Sequence, residues 1–203
     1  MAETARPLKR NLAIAESSFP AGGGTVGIRL LPPRARFCLR VAPSLLASVP
    51  EIAGFALDIP VNRCAGARGR VAMRLGPDEW QLSCPPGEAA SVAAAFGAAL
   101  AGKHHALVDI SHAQVAIDVA GSNAADVVHA GCPLDLGAHV FAPGHATRTL
   151  LGKAEIILSR PTDAVAFEIE CARSYAAYVR DFLIEAAREH VTAGAPAASA
   201  TGP

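Results

Sequence analysis

The sequence predicts an α+β fold in two helix-covered antiparallel sheet lobes, and three observations predict it. The apolar period switches repeatedly along the chain between two, the period of a strand, and about four, the spacing of a helix face. One tight turn is legible between two short strands, at Gly76-Pro77-Asp78. No strand leads through a glycine-rich phosphate turn into a helix, which argues against a dinucleotide-binding βαβ unit.

The elements follow in order. RARFCLRV (34–41) alternates apolar and basic residues, with Phe37, Leu39 and Val41 on one face of a strand. VAMRL (71–75) and EWQLSC (79–84) form a hairpin, because Pro77 presets φ for the second turn position and Asp78 suits the third. Val92, Phe96 and Leu100 recur every four residues through the Ala-rich segment 87–101, which predicts a helix with one apolar stripe. ALVDI (106–110) returns to strand, and HAQVAIDVAG (112–121) places Val115, Ile117 and Val119 together.

Ser122 or Asn123 is positioned to cap a short helix reaching Ala130, stopped by Gly131 and Pro133. TRTLLGKAEIILSR (147–160) and AVAFEIEC (164–171) read as a second strand pair, the latter with Val165, Phe167, Ile169 and Cys171 inward. Ser174 then caps a last helix whose buried stripe is Tyr175, Tyr178, Val179, Phe182, Leu183 and Ala186. Arg188 and His190 in its last turn complement the helix dipole.

At 203 residues and 51% hydrophobic content the chain can bury a real core. Residues 1–27 read as an arm with a Gly cluster at 21–24, residues 28–190 as the folded domain, and residues 191–203 as a disordered small-residue tail. Eighteen basic residues balance eighteen acidic ones, which argues against nucleic-acid binding by phosphate neutralisation. No apolar run is long enough to span a membrane or serve as a signal peptide, so the expected compartment is the cytoplasm. Five scattered cysteines (Cys38, Cys64, Cys84, Cys132, Cys171) with no CxxC pair support neither a zinc knuckle nor a disulfide framework. Cys38, Cys84 and Cys171, in strand-like segments, read as small buried hydrophobes.

HAGCPLDLGAH (129–139) gathers His129, Cys132, Asp135 and His139, residue types that bind metals or act as nucleophiles. The spacing matches no paired metal motif, and Cys132 follows a helix C-terminus, where the dipole disfavours a thiolate. The reading preferred is a helix stop with Cys132 and Leu134 packed inward. The His104-His105 pair would point to opposite faces. Asp109, Ser111 and His112 are too close in an extended chain to form a triad among themselves. Trp80 reads as a packing anchor. Arg148 and Lys153 flank Leu150-Leu151-Gly152, where a glycine inside a strand permits a bulge or a close approach. No catalytic, cofactor-binding or metal-binding residue is assigned. The candidates for an interface are Pro133, Leu134, Asp135, Leu136, Arg148 and Lys153.

Several strings carry a family resemblance: LPPRARFCLRV (31–41), RLGPDEWQL (74–82), VDISHAQVAIDVAG (108–121), AGCPLDL (130–136), FAPGHATRTLLGKAEIIL (141–158) and RSYAAYVRDFL (173–183). In this order they resemble the gamma subunit of heterotetrameric sarcosine oxidase, over roughly residues 28–190. The VDISH segment also resembles the start of aminomethyltransferases of the glycine-cleavage T-protein type. That wider resemblance implies two ferredoxin-like helix-covered antiparallel sheet lobes, as in the folate-binding domain of those enzymes.

The resemblance implies an accessory subunit without its own active site, partnered by alpha, beta and delta subunits. The complex would oxidatively demethylate sarcosine to glycine with hydrogen peroxide and, with tetrahydrofolate, 5,10-methylenetetrahydrofolate. FAD, FMN, NAD, zinc and the folate site are implied on the other subunits, and no cofactor on this chain. Three alternatives stay open: a stand-alone folate-binding, aminomethyltransferase-like protein; a thiol or metal enzyme built on Cys132; and a complex acting on another N-methyl amino acid.

Overall fold

Strands with alternating side chains form the framework of this protein. The computed structural model describes residues 13–16, 25–46, 49–67, 69–161 and 166–192. The Gly cluster at 21–24, the inward placement of Val165 and the tail from 193 onward lie outside the described residues. The chain opens with β1 (Gly27–Leu30), β2 (Ala35–Val41), the one-turn α1 (Pro43–Leu46), and the short pair β3 (Glu51–Ile52) and β4 (Phe55–Ala56). There follow β5 (Arg63–Ala67), β6 (Arg70–Gly76), β7 (Glu79–Cys84), α2 (Ala89–Ala99) and β8 (His105–Asp109). The rest of the chain forms β9 (Gln114–Ala120), α3 (Ala124–His129), β10 (His145–Leu151), β11 (Ala154–Arg160), β12 (Ala166–Ala172), α4 (Ala176–Ala186) and α5 (Arg188–Thr192).

Ten strands join in one sheet, in the order β1-β9-β12-β11-β10-β5-β6-β7-β2-β8, with antiparallel pairing throughout. The two expected lobes are present as the two halves of this sheet, connected by a single paired position, His145 with Arg63. Each half has its own apolar core. Phe37, Leu39, Trp80 and Leu82 pack against Val92, Phe96 and Leu100 in one. Ile117, Val119, Ile156, Phe167 and Ile169 pack against Val127, Val179 and Leu183 in the other. Ile14 and Val26, within the stretch read as an arm, are buried in the second core. A small cluster of Met73, Leu75, Ala146 and Ile157 spans the join.

The predicted hairpin forms, with Gly76 paired to Glu79 around Pro77-Asp78. The predicted helix over 87–101 forms as α2, behind a short 3-10 turn at Pro86–Glu88. Other details differ. The segment 147–160 is not one strand but the hairpin β10–β11, and Gly152 is not a bulge but the first residue of its turn, with φ +57°. Apolar residues on both sides of the turn hid the reversal.

Asn123 occupies the N-cap of α3 without a side-chain capping bond, and donates instead to Asp126 Oδ2 at 3.2 Å. Ser174 is not a cap either: it lies in a 3-10 turn, and Tyr175 precedes α4. On α4, Ala176, Val179 and Leu183 are buried. Tyr175 and Tyr178, expected in the buried stripe, are exposed, because their large rings fall at its margin.

Candidate interaction surface and interior charge seam

The interface candidates separate into two places. Residues 131–136 follow α3, where Cys132 N–H and Gly131 N–H both donate to the Val128 carbonyl and end the helix. Leu136 and Cys132 then turn into the second core, Leu134 packs against it, and Pro133 and Asp135 stay exposed. Asp135 Oδ1 accepts the Gly137 N–H at 2.8 Å, which fixes the turn. This loop docks on the tip of the β10–β11 hairpin, where Gly152 N–H donates to the Gly131 carbonyl at 2.9 Å.

Helix α4 closes the same corner. Lys153 N–H donates to Tyr178 Oη at 3.1 Å, and a Cβ on Gly131 would stand 2.5 Å from Phe182 Cζ. A methyl there would force the Phe182 ring to shift. Pro133, Asp135, Lys153 and Tyr178 therefore share one exposed corner.

Arg148 is elsewhere. Its guanidinium forms a two-armed pair with Glu79 of β7, with Nη1 at 3.1 Å from Oε2 and Nη2 on Oε1. Arg40 adds a third bond to Glu79 at 2.8 Å. The hydrogen bonds from Arg148 hold the Glu79 carboxyl below the ordinary range, against the opposing effect of burial.

These contacts belong to a seam that composition and spacing did not reveal. Arg36 Nε lies 2.8 Å from Glu170 Oε2, and Gln81 Nε2 donates to the same oxygen at 2.6 Å. Arg34 grips Glu168 with bonds of 2.6 and 3.1 Å. Strands β2 and β12 lie far apart in strand order, so these bonds require the sheet to curl until the faces turned away from the helices meet. Burial raises the Glu168 carboxyl above the ordinary range, and Glu170 beside it adds to that, while Arg34 opposes. A signal was available: Arg36 and Arg40 lie along β2 with Arg34 just before it, and Glu168 and Glu170 along β12, on the faces left over after the apolar core is assigned.

Nucleophilic chemistry finds no support here. Burial pushes the Cys64 and Cys171 thiols up to about 11, and raises those of Cys38 and Cys84. Cys38, read as buried, is only half-buried and faces Glu79 in the seam. Asp109 and Ser111 do meet, contrary to the extended-chain argument, because the chain turns after β8. Ser111 Oγ donates to Asp109 Oδ1 at 2.5 Å, with no histidine between them to act as base. Among the described residues, no group of three or more His, Cys, Asp or Glu is gathered to hold a metal. The sheet pairs antiparallel, without the parallel βαβ crevice of doubly wound dinucleotide-binding folds. Trp80 is the packing anchor expected, buried with Nε1–H donating to the Leu57 carbonyl at 3.1 Å.

A curled antiparallel sheet with helices outside and a polar seam inside defines an α+β chain of the type found in aminomethyltransferases. Aminomethyltransferase T of the glycine cleavage system from Bartonella henselae superposes with a TM-score of 0.59 at 14% identity, over 80% of this chain and 46% of that one. At that identity the likeness concerns the fold alone. The family model described as "Sarcosine oxidase, gamma subunit family" matches residues 40–189, and the chain belongs to that family.

Two relatives agree. The chain is 29% identical to sarcosine oxidase subunit gamma of Corynebacterium sp. (strain P-1) over 169 residues, 82% of each protein. It is 29% identical to that of an Arthrobacter sp. over 136 residues, 66% of this chain and 62% of the relative. A chain of the heterotetrameric sarcosine oxidase from Corynebacterium sp. U-96, solved in complex with pyrrole 2-carboxylate, superposes with a TM-score of 0.74 at 26% identity. The match covers 87% of this chain and 90% of that one.

Proposed function

We propose that this chain is the accessory gamma subunit of a flavin-dependent, heterotetrameric sarcosine oxidase and contributes structure and interface rather than an active site. The observation that carries this reading is the family match over residues 40–189. The superposition on a chain of a heterotetrameric sarcosine oxidase supports it. Half-buried and buried cysteines with raised pKa values and carboxylates locked onto arginines fit a bracing role.

The reading extends to the complex. Alpha, beta and delta subunits are the partners, with FAD, FMN, NAD and zinc carried by them and tetrahydrofolate as acceptor of the one-carbon unit. The reaction is demethylation of sarcosine to glycine with release of hydrogen peroxide, in the cytoplasm. No described helix is long and apolar enough to cross a membrane.

The corner formed by Pro133, Asp135 and Lys153, together with the Tyr178 ring, is the docking surface for a large subunit. Leu134 and Leu136 shape it from beneath. Arg148 supports the seam instead of touching a partner directly. Co-expression with the flavoprotein subunits tests this assignment. The double variant Asp135→Lys, Lys153→Glu is expected to weaken assembly at least tenfold while leaving the chain's own thermal melt within a few degrees. Undiminished assembly would move the docking surface elsewhere. The stand-alone folate-binding alternative predicts tetrahydrofolate binding by the lone chain, lost in Arg148→Ala.

A further inference from the structure

A cavity of about 220 Å³ opens where the Leu31–Arg34 segment, the turn at Ser111 and His112 and the start of β9 meet Pro86 and Arg173. It is smaller than the roughly 300 Å³ at which pockets for drug-sized molecules begin, and suits a single-ring molecule. Pro32, Pro33 and Pro86 give it flat apolar walls, and no carboxylate residue lines it. Its polar lining includes the guanidiniums of Arg34 and Arg36 and the Gln114 amide, whose oxygen is buried without a hydrogen-bond partner.

Arg36 makes this a built site. The residue is 2% exposed, and it is held by Nε on Glu170 and Nη1 on the Arg34 carbonyl. Its remaining terminal nitrogen is Nη2, and the residue lines the cavity. A guanidinium fixed from behind offers a donor at little entropic cost. We propose that this cavity binds a small organic monocarboxylate with a flat apolar ring, its carboxylate on Arg36 and its ring between the prolines.

The cavity belongs to this chain alone, so the proposal stands or falls apart from the subunit assignment. Benzoate is the probe and benzamide its uncharged counterpart, titrated against the full-length chain. Binding is read by calorimetry and by amide and side-chain NMR shifts of residues 111–116. Benzoate is expected to bind saturably below about 1 mM and at least tenfold more tightly than benzamide. Its shifts are expected to centre on Gln114.

Arg36→Gln removes the carboxylate partner. Ala116→Leu, on the cavity wall opposite Glu170 of the paired strand, fills the space without removing a charge; each should weaken benzoate binding at least tenfold. Where Arg36→Gln does not fold, Ala116→Leu decides. No saturable binding up to 10 mM (an order-of-magnitude ceiling for specific small-ligand binding), equal binding of benzamide, or unchanged affinity in Ala116→Leu would each overturn the proposal.

Discussion

Arg36 and Glu170 meet at 2.8 Å across the interior of the curled sheet, with side chains only 3% and 1% exposed. One comes from each half, so the pair ties together two bodies whose strands share a single paired position, between β10 and β5. Breaking such a pair strands a charge in a medium that solvates it poorly. Glu170→Ala is expected to destabilise the fold by about 3–5 kcal/mol. Replacing both partners together, as Arg36→Met with Glu170→Leu, is expected to recover most of that loss. Urea unfolding of the three proteins checks the order.

Glu79 gives a pH signature. Its folded pKa is depressed, so it contributes stability above the unfolded carboxylate pKa and loses it as pH falls through the folded value. Glu79→Gln is expected to cost on the order of 1 kcal/mol at pH 7, a figure discounted for the exposure of Arg148 and Arg40. The stability curves of wild type and variant should converge as pH drops below 4.5, the ordinary value for this group. A constant gap down to pH 2 would contradict the ion-pair account.

The corner between α3 and the β10–β11 hairpin depends on two glycines. Gly131→Ala forces a methyl against Phe182 and is expected to cost about 1–3 kcal/mol. Gly152→Ala places an L-residue at φ +57° with Tyr178 Oη directly in its way, and a comparable loss is expected. Tyr178→Phe in the Gly152→Ala background should relieve part of it. Thermal melts of the three variants test the contact.

The thiols should be slow. With pKa values of about 11 at Cys64 and Cys171, roughly one thiol in three thousand is ionised at pH 7.5. Iodoacetamide is therefore expected to label the native chain far more slowly than the urea-unfolded chain. Rapid native labelling at Cys132 would revive a thiol-enzyme reading.

The two apolar cores and the hairpin at Pro77-Asp78 were legible because alternation and turn chemistry are local. Val92, Phe96 and Leu100 announced their helix by period alone, and all three are buried. The hairpin at Gly152 was hidden because apolar residues flank Gly152-Lys153 on both sides and the turn has no proline or Asn/Asp to mark it. Strand β5 was hidden because RCAGA carries little hydrophobic pattern of its own and depends on pairing with β6. The charge seam needed two distant strands to be considered together: basic residues on β2 meet acidic residues on β12 only once the sheet curls.

Placement of the interface candidates follows the same division. Residues 133–136 and Lys153 converge because Gly131 and Gly152 share a backbone bond, a non-local contact that spacing could not announce. Arg148 was singled out beside a glycine, yet its position is explained by Glu79 on another strand.

The most direct test is the colour and activity of the chain with and without its partners. Expressed alone, it is expected to be colourless and inactive toward sarcosine. Co-expressed with the flavoprotein subunits, it should elute with them in one peak that absorbs as a flavin and releases hydrogen peroxide from sarcosine. A flavin spectrum from the chain alone, or its elution apart from the co-expressed partners, would contradict the account.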